Sequence, residues 1–574
     1  MKYTGGLSET IKRELKLFTV ANIEDATVKA ISIEGNADQR VKRADMYVNA
    51  FVNAGFGQSM HHGKWLFNEE EYGLGTSAIA SLGMILLWDA DVGSSEFFKY
   101  FGADYDDESD ASVYDNSTKA GALLGLGICN CNINDETASD LSLYVDIEDP
   151  TISIGAIMGL GLAYAGSKST LIGDLLKNVL TDPKRAIEVQ IFSALSIGLV
   201  YVGAPNDATI FSMLDIIKGK AFSEIKKVPI IRLLPLAVGL FYLGKQDDQA
   251  VAHISNSVII EFQTYFRMTL LSGTGNVDKS VAVIGIAMIA MADEEGIQMA
   301  IRSLEHLNQR GEQNIRQAVP LALGLVCISN PQVDVTNTLL KLSRDEVPQV
   351  AMAAIISTGL IGAGTNNGRI ASHLLRLMTY HRNNTNLVYC VRIAQGLLHM
   401  GKGLLTLNPY HSNRFLLSPK GHFFKIKSLT YGPHGSAHIY SLFILLSRTA
   451  LAGILIWLHA SLEAPYYLLG DFQFVLYFIV LAMQPRMLIT VDENLNPLPV
   501  SVRVGNAIDV TAMPGQQSTI SGSTTHMTSI LLAAGQRAEL ASEEYISVTP
   551  VLEGCVILKR READKLVALK ESTK

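Results

Sequence analysis

Ile154-Gly-Ala-Ile-Met-Gly-Leu-Gly-Leu-Ala163 is apolar from end to end, yet three of its ten residues are glycine. Inside a helix each glycine costs about 1 kcal/mol relative to alanine, so a segment that keeps three of them needs a compensating gain. Gly155 and Gly159 lie four apart and therefore share one helical face. Small residues on that face let a neighbouring backbone come closer than leucine would allow. A strand would instead alternate β-branched and polar positions, which this stretch does not do.

Working outward, the same phrase returns along the chain. Upstream it reads Ala80-Ser-Leu-Gly-Met-Ile-Leu86 around Gly83 and Ala120-Gly-Ala-Leu-Leu-Gly-Leu-Gly127 around Gly125. Downstream the copies centre on Gly198, Gly239, Gly285, Gly324, Gly359 and Gly396. Successive central glycines are 42, 34, 39, 41, 46, 39, 35 and 37 residues apart, a period near forty that fits two helices and two short connections. Between the stripes run second helices of ordinary amphipathic spacing, such as Ile210, Met213, Leu214 and Ile217, or Val335, Leu339 and Leu342. No such hairpin buries its apolar face alone, so the units must stack. Tyr164-Ala-Gly166, Tyr201-Val-Gly203 and Tyr242-Leu-Gly244 put a glycine just past an apolar helix, where a left-handed terminating residue is expected, and Gly364 and Gly401 repeat the pattern.

After Pro409 the repeat stops, and from Pro485 the class changes. Arg486 to Asp492, Pro499 to Gly505, Ala507 to Val510, Ala538 to Leu540 and Gly554 to Lys559 concentrate β-branched residues between Gly, Pro and Asn breaks. The fold class that follows is mainly α, a solenoid or toroid of helical-hairpin repeats with a small C-terminal β-domain. The tail from Arg560 to Lys574 reads as solvated. The organisation expected is a helical N-terminal remnant over 1–71, the repeats over 72–409, closing helices over 410–484 and the β-domain over 485–574.

Composition narrows the function. The 574 residues carry 47 Lys and Arg against 55 Asp and Glu, a net charge of −8, which disfavours a general nucleic-acid binder. Five scattered cysteines are not a disulfide framework, and the N-terminus has no secretory apolar core. Mean hydropathy is +0.22. The most apolar segments do not suit membrane spans: Tyr440 to Leu458 carries Arg448, and Phe472 to Met483 is too short, so both read as buried core.

Enzyme signatures do not assemble. Cys129-Asn-Cys131 and His61-His62 have no second Cys/His pair at zinc spacing, so a helix-end thiol pair and a solvated loop are the readings. Gly73-Leu-Gly75 lacks the strand-turn-helix context and final glycine of a nucleotide fingerprint. His399, His411, His434 and His438 lack a nucleophile elbow beside them, leaving a hydrolase as a weak alternative. No cofactor and no metal are expected.

Longer motifs carry a family resemblance: Tyr72-Gly-Leu-Gly-Thr76, Ala80 to Asp89, Leu160-Gly-Leu-Ala-Tyr-Ala-Gly-Ser167, Gly362-Ala-Gly-Thr-Asn-Asn367, Gln395 to Gly403, Met483-Gln-Pro-Arg-Met487, Val502-Arg-Val-Gly505 and Leu552-Glu-Gly554. In this order they resemble the proteasome/cyclosome (PC) repeat scaffolds in the base of the proteasome's regulatory particle, over roughly Tyr72 to Lys559, and among them the smaller scaffold. The resemblance implies a non-catalytic, closed helical toroid on the ATPase ring beside other base subunits, in cytoplasm and nucleus. Its implied partners are ubiquitin chains, shuttle receptors with ubiquitin-like domains and a deubiquitinase, with no nucleic acid and no membrane. Matched by position, Asp207 and Asp215 correspond to the ubiquitin and ubiquitin-like-domain site, and Asp91 to the deubiquitinase dock. Taken alone, these acids read as solvated outer faces.

Four departures from that pattern stand out. Relatives have an acid one turn after Asp215, where this chain has Gly219 preceded by Lys218, implying a weaker charge cluster. Only 71 residues precede Tyr72, so the ATPase-contacting arm is expected to be mostly missing, N-terminally truncated relative to the family. Lys420 to Arg448 reads as an insertion, and Asp104 to Asp115 as an acidic surface loop. A generic helical-repeat adaptor detached from the proteasome is the alternative function.

Overall fold

The structure, a computed structural model, describes residues 39–57, 75–101, 115–131, 136–216, 229–243, 277–291, 294–409, 427–430, 438–441, 447–507, 520–533, 536–548, 552 and 554–561. Its helices begin with α1 (Gln39–Val52), α2 (Gly75–Ile85), α3 (Ala90–Phe98), α4 (Asn116–Cys129), α5 (Pro150–Ala163) and α6 (Thr170–Thr181). They continue through α7 (Ile187–Val200), α8 (Asp207–Asp215), α9 (Leu233–Phe241), α10 (Val277–Ala290), α11 (Glu294–Arg310) and α12 (Gln313–Val326). The last are α13 (Val333–Leu342), α14 (Pro348–Ile361), α15 (Gly368–Tyr380), α16 (Thr385–Leu398) and α17 (Ser447–Leu462). The protein is a helical-hairpin solenoid followed by a small β-domain, as the repeat implies.

The glycine-bearing helices, joined by the glycine-free α1, form an inner layer in which α9, α7, α5, α4, α2, α1, α16, α14, α12 and α10 each pack on the next. Glycine makes this possible at most junctions. A Cβ on Gly121 would lie 2.6 Å from Thr76 O, one on Gly155 2.5 Å from Ala120 O, and one on Gly198 2.7 Å from Ala237 O. At two copies no described neighbour stands opposite the stripe. Around Gly239 on α9 and Gly285 on α10 nothing lies within 4 Å, because these helices end the described layer and their outward stripes meet no neighbour among the described residues. α1 is part of the layer: it packs between α16 and α2, and a Cβ on Gly396 would meet Val48 Cα at 3.0 Å.

The two rims are tied differently. At the C-terminal rim a left-handed residue follows each of several inner helices, and its amide donates to the end of the next one. Gly166 N donates to Leu199 O, Gly203 N to Leu240 O and Gly364 N to Leu397 O, at 2.8, 3.0 and 2.9 Å. These bonds satisfy carbonyls that a helix end leaves without partners. Gly401 is also left-handed, whereas Gly244 lies outside the described residues. Trp88 and Ser329 hold the same geometry without glycine, donating to Cys129 O and Leu360 O. At the N-terminal rim side chains make the ties: Asn116 to Asp149, Lys279 to Glu312, Arg316 to Asp345 and Arg40 to Asn386.

α3, α6, α8, α11, α13 and α15, with a 3-10 segment at Glu136–Tyr144, cover the inner layer from outside. Inside lie α17 and a 3-10 segment at Gln473–Ala482, packed on each other. They touch helices from both arms. Tyr477 hydroxyl donates to Ser77 O at 2.6 Å, Phe192 packs on Phe472 and Phe474, and Gln317 donates to Leu462 O at 2.7 Å. Trp457, Tyr477 and Phe478 are fully buried there, in the two apolar segments read from the sequence as buried core. No helix among the described residues is long and apolar enough to cross one.

β1 (Leu405–Leu407) pairs antiparallel with β4 (Met483–Pro485), and β2 (Lys427–Thr430) with β3 (His438–Ser441). The latter pair is the described part of the stretch read as an insertion. Beyond them β5 (Met487–Val491), β6 (Ser501–Ala507), β7 (Ile520–Met527), β8 (Ile530–Leu531), β9 (Gln536–Leu540), β10 (Tyr545–Ser547) and β11 (Cys555–Arg560) make two sheets, ordered β7-β6-β9 and β10-β11-β5-β8. Val502 and Val504 alternate into a core with Leu488, Val556 and Leu558. Arg486 anchors this domain to the repeats, donating to Gly364 O at 2.6 Å. Ala507 ends β6, and the remainder of its expected strand, 508–510, lies outside the described residues.

Candidate functional site on the outer helices

α8 starts because Asn206, extended, accepts the Thr209 amide at 3.3 Å with its side chain, capping the first turn. Ile210, Met213 and Leu214 turn inward and are buried. Positions 207, 211 and 215 fall on the opposite face by their spacing of four, and all three are exposed. Asp207 and Asp215 thus flank Phe211, whose surface is 52% exposed. Eight residues separate the two acids along the helix, about 12 Å of rise. At the near end Asp207 lies near Tyr242, at the end of α9; burial first, then the Asp207 charge, pushes the Tyr242 hydroxyl above its usual range.

α6 packs beside α8 and extends this surface. Ser169 caps it, accepting the Ile172 amide, and leaves Leu171 82% exposed in its first turn. Asp174 is exposed one turn on, near Tyr201, whose hydroxyl burial first and Asp174 second push up. The two neighbouring helices thus expose two apolar side chains, Leu171 and Phe211, and three carboxylates, Asp174, Asp207 and Asp215. Sequence reasoning did not single out Phe211, Leu171 or Asp174. The signal for Phe211 was present, since an aromatic residue next to Ile210 falls off the buried face of an amphipathic helix. Lys218 and Gly219 lie outside the described residues.

Asp91 stands elsewhere. It is exposed in the first turn of α3, beside half-exposed Val92, and the 3-10 segment Glu136–Tyr144 and α6 intervene between α3 and α8. α3 is pinned by Phe97, which is fully buried, and by Gly93, where a Cβ would lie 2.5 Å from Cys129 Sγ. The structure therefore joins Asp207 and Asp215 on one face and keeps Asp91 apart.

The residues weighed for chemistry do not converge. Cys129 and Cys131 are buried at the end of α4, with Cys131 pushed up to about 12 by burial, so neither is poised as a thiolate. His399 sits with Nδ1 2.7 Å from Asn366 Oδ1, and burial lowers it to about 4. His61, His62, His411, His434, Gly73 and Asp104 lie outside the described residues; His438 is in β3, and Asp115 caps α4. Among the described residues no three His, Cys, Asp or Glu side chains gather to hold a metal ion.

Several known proteins are similar to this chain. A family model described as "26S proteasome non-ATPase regulatory subunit RPN1 C-terminal" matches residues 512–563. "26S proteasome non-ATPase regulatory subunit 2 homolog A" of Arabidopsis thaliana is 46% identical, over 96% of this chain and 62% of that protein. "26S proteasome non-ATPase regulatory subunit 2" of Dictyostelium discoideum is 39% identical over 91% of this chain and 57% of that protein. "26S proteasome regulatory subunit rpn-1" of Neurospora crassa is 36% identical over 90% of this chain and 57% of that protein. The chain spans about three-fifths of the length of these curated relatives.

Proposed function

Most of this chain is homologous to the proteins named 26S proteasome non-ATPase regulatory subunit 2 or Rpn1, and on that footing we propose that it is a non-catalytic scaffold of the proteasome regulatory particle. In this reading it docks ubiquitin chains and ubiquitin-like-domain shuttle receptors on α8, and a deubiquitinase at Asp91 on α3. It attaches to the ATPase ring and neighbouring base subunits, in cytoplasm and nucleus.

The observation that carries the reading is the Asp207, Phe211, Asp215 face. Carboxylates flanking an exposed aromatic suit a small domain whose apolar patch is ringed by basic residues. The acids would steer and orient, and Phe211 with Leu171 would supply the area removed from water. Nothing in this role needs a bond to be made or broken, which agrees with homologues named regulatory subunits.

The test is a titration of a labelled ubiquitin-like domain against the full chain and against Asp215→Lys and Phe211→Ala. Each variant is expected to bind about tenfold or more weakly, the loss at Asp215→Lys shrinking with added salt. Binding indifferent to both substitutions would remove the α8 site. Co-purification with the ATPase ring separates the scaffold from a detached adaptor.

A further inference from the structure

Charge is unevenly placed along this chain. From Val347 to Leu462 there are ten lysines and arginines and no aspartate or glutamate, in a protein whose net charge is −8. The structure gathers part of that excess on one outer face, remote in sequence from α8. α15 presents Arg369 and Arg376, two turns apart, on its exposed side, followed by Tyr380. Its neighbour α13 ends in exposed Lys341, with exposed Arg344 just past the end.

Contacts between the helices make these residues one surface. Arg369 donates to Asn337 Oδ1 at 2.5 Å, the Arg344 guanidinium lies 5.4 Å from the centre of the Tyr380 ring, and His381 Nε2 is 2.9 Å from Ser343 O. Under the surface His373 is buried with Nε2 3.3 Å from Ser343 Oγ. Burial first, then the charges of Arg344 and Arg376, lower its pKa to about 4. The nearby acids are few: Asp334 opens α13, Glu346 follows it, and Asp345 is held by Arg316 at 2.5 Å. Among the described residues Lys341, Arg344 and Arg376 form no ion pair. Apolar surface is interleaved with the charge, Tyr380 being 61% and Leu375 39% exposed.

We propose that the α13–α15 face is a docking surface for an acidic polypeptide segment with aliphatic residues among its carboxylates. Arginine forks hold carboxylates in paired hydrogen bonds, and several unneutralised cations on one face raise the local concentration of an anionic chain. Leu375 and Tyr380 distinguish the occupant. They give an aliphatic side chain somewhere to pack, which a phosphate backbone would leave unused, and the overall negative charge of the protein repels nucleic acid. The proposal does not depend on the α8 reading, and its test uses different residues.

The probe is a fluorescein-labelled peptide of glutamates and aspartates interrupted by leucines, followed by anisotropy against the full chain. Arg344→Glu with Arg376→Glu is expected to weaken binding by about tenfold or more, and Leu375→Ser by a smaller factor. Asp215→Lys leaves it unchanged. Lys341→Glu, at an exposed position, repeats the test should the double variant fail to melt cooperatively. Equal affinity of wild type and charge-reversed variants, or no binding by wild type, overturns the proposal. So does displacement of the peptide by single-stranded RNA of higher affinity, which would reassign the face to nucleic acid.

Discussion

Two glycines with the same sequence signature do opposite things. Gly121 sits against the Thr76 carbonyl, 2.6 Å from where a Cβ would be, while Gly285 meets nothing within 4 Å among the described residues. Gly121→Val should therefore lower stability by about 1–3 kcal/mol, since backbone on the neighbouring helix has to move. Gly285→Ala should raise it by up to about 1 kcal/mol, because only the helical cost of glycine is removed. Denaturant midpoints of the two variants check this, and a loss at Gly285 comparable with that at Gly121 would count against the packing described. The sequence showed which residues belong to the stripe, through spacing alone. It could not show that the stripes of α9 and α10 lack described neighbours, because a glycine carries no mark of what stands opposite it. The same limit applies at the candidate site. Asp207 and Asp215 were proposed from the resemblance, and the spacing around Ile210 held the signal for Phe211, but Leu171 and Asp174 join that surface only when α6 and α8 lie side by side.

At the level of elements, caps and connections decide where each helix starts and stops. Asp115 accepts the Thr118 amide at 2.9 Å and the Ser117 hydroxyl at 2.8 Å at the head of α4. The bond with Thr118 is the leading cause that holds its carboxyl below the usual range. Asp115→Ala is expected to cost about 1 kcal/mol. Since the folded pKa is depressed, this contribution is present above the ordinary aspartate pKa and is lost as pH falls through the lowered one. Wild type and variant should therefore converge in midpoint at acid pH, and a constant gap would remove the ionic part of the cap. Element type was legible wherever period and punctuation agreed, as in α5 with Asp149 and Pro150 ahead of it and Gly166 behind. β7 was not, since Ser521 to Met527 are exposed on both faces and show no alternation. Trp88 and Ser329 were also silent, because nothing in their chemistry announces a left-handed turn that tertiary hydrogen bonds impose.

For the whole molecule, three histidines set the response to acid. His373, His399 and His459 all have pKa values lowered to about 4, chiefly by burial. The unfolded chain takes up these protons near pH 6.5 and the folded chain only near 4, so between those values unfolding binds protons and stability falls as pH drops. Each histidine contributes a slope of up to about 1.4 kcal/mol per pH unit. Asp45 opposes them. Burial, against the pull of Arg392, raises it to about 6, so the folded state holds its proton first and gains from acid between about 6 and the ordinary aspartate value. The expected profile is a net loss of stability from pH 6.5 to 4, measured by urea midpoints, and flatter in His459→Gln. A flat wild-type profile would show these imidazoles to be solvated.

The unlike ties at the two rims give the array an inbuilt polarity. Rungs made of amide and carbonyl at the C-terminal rim carry no net charge, so neither ionisation nor salt alters them, although Gly166, Gly203 and Gly364 leave no room there for a side chain. Those at the opposite rim are mostly carboxylates with lysine, arginine or asparagine, which ionic strength screens and single substitutions erase. Salt and pH can consequently loosen the hairpins from one edge only, as a fan opens from its pivot.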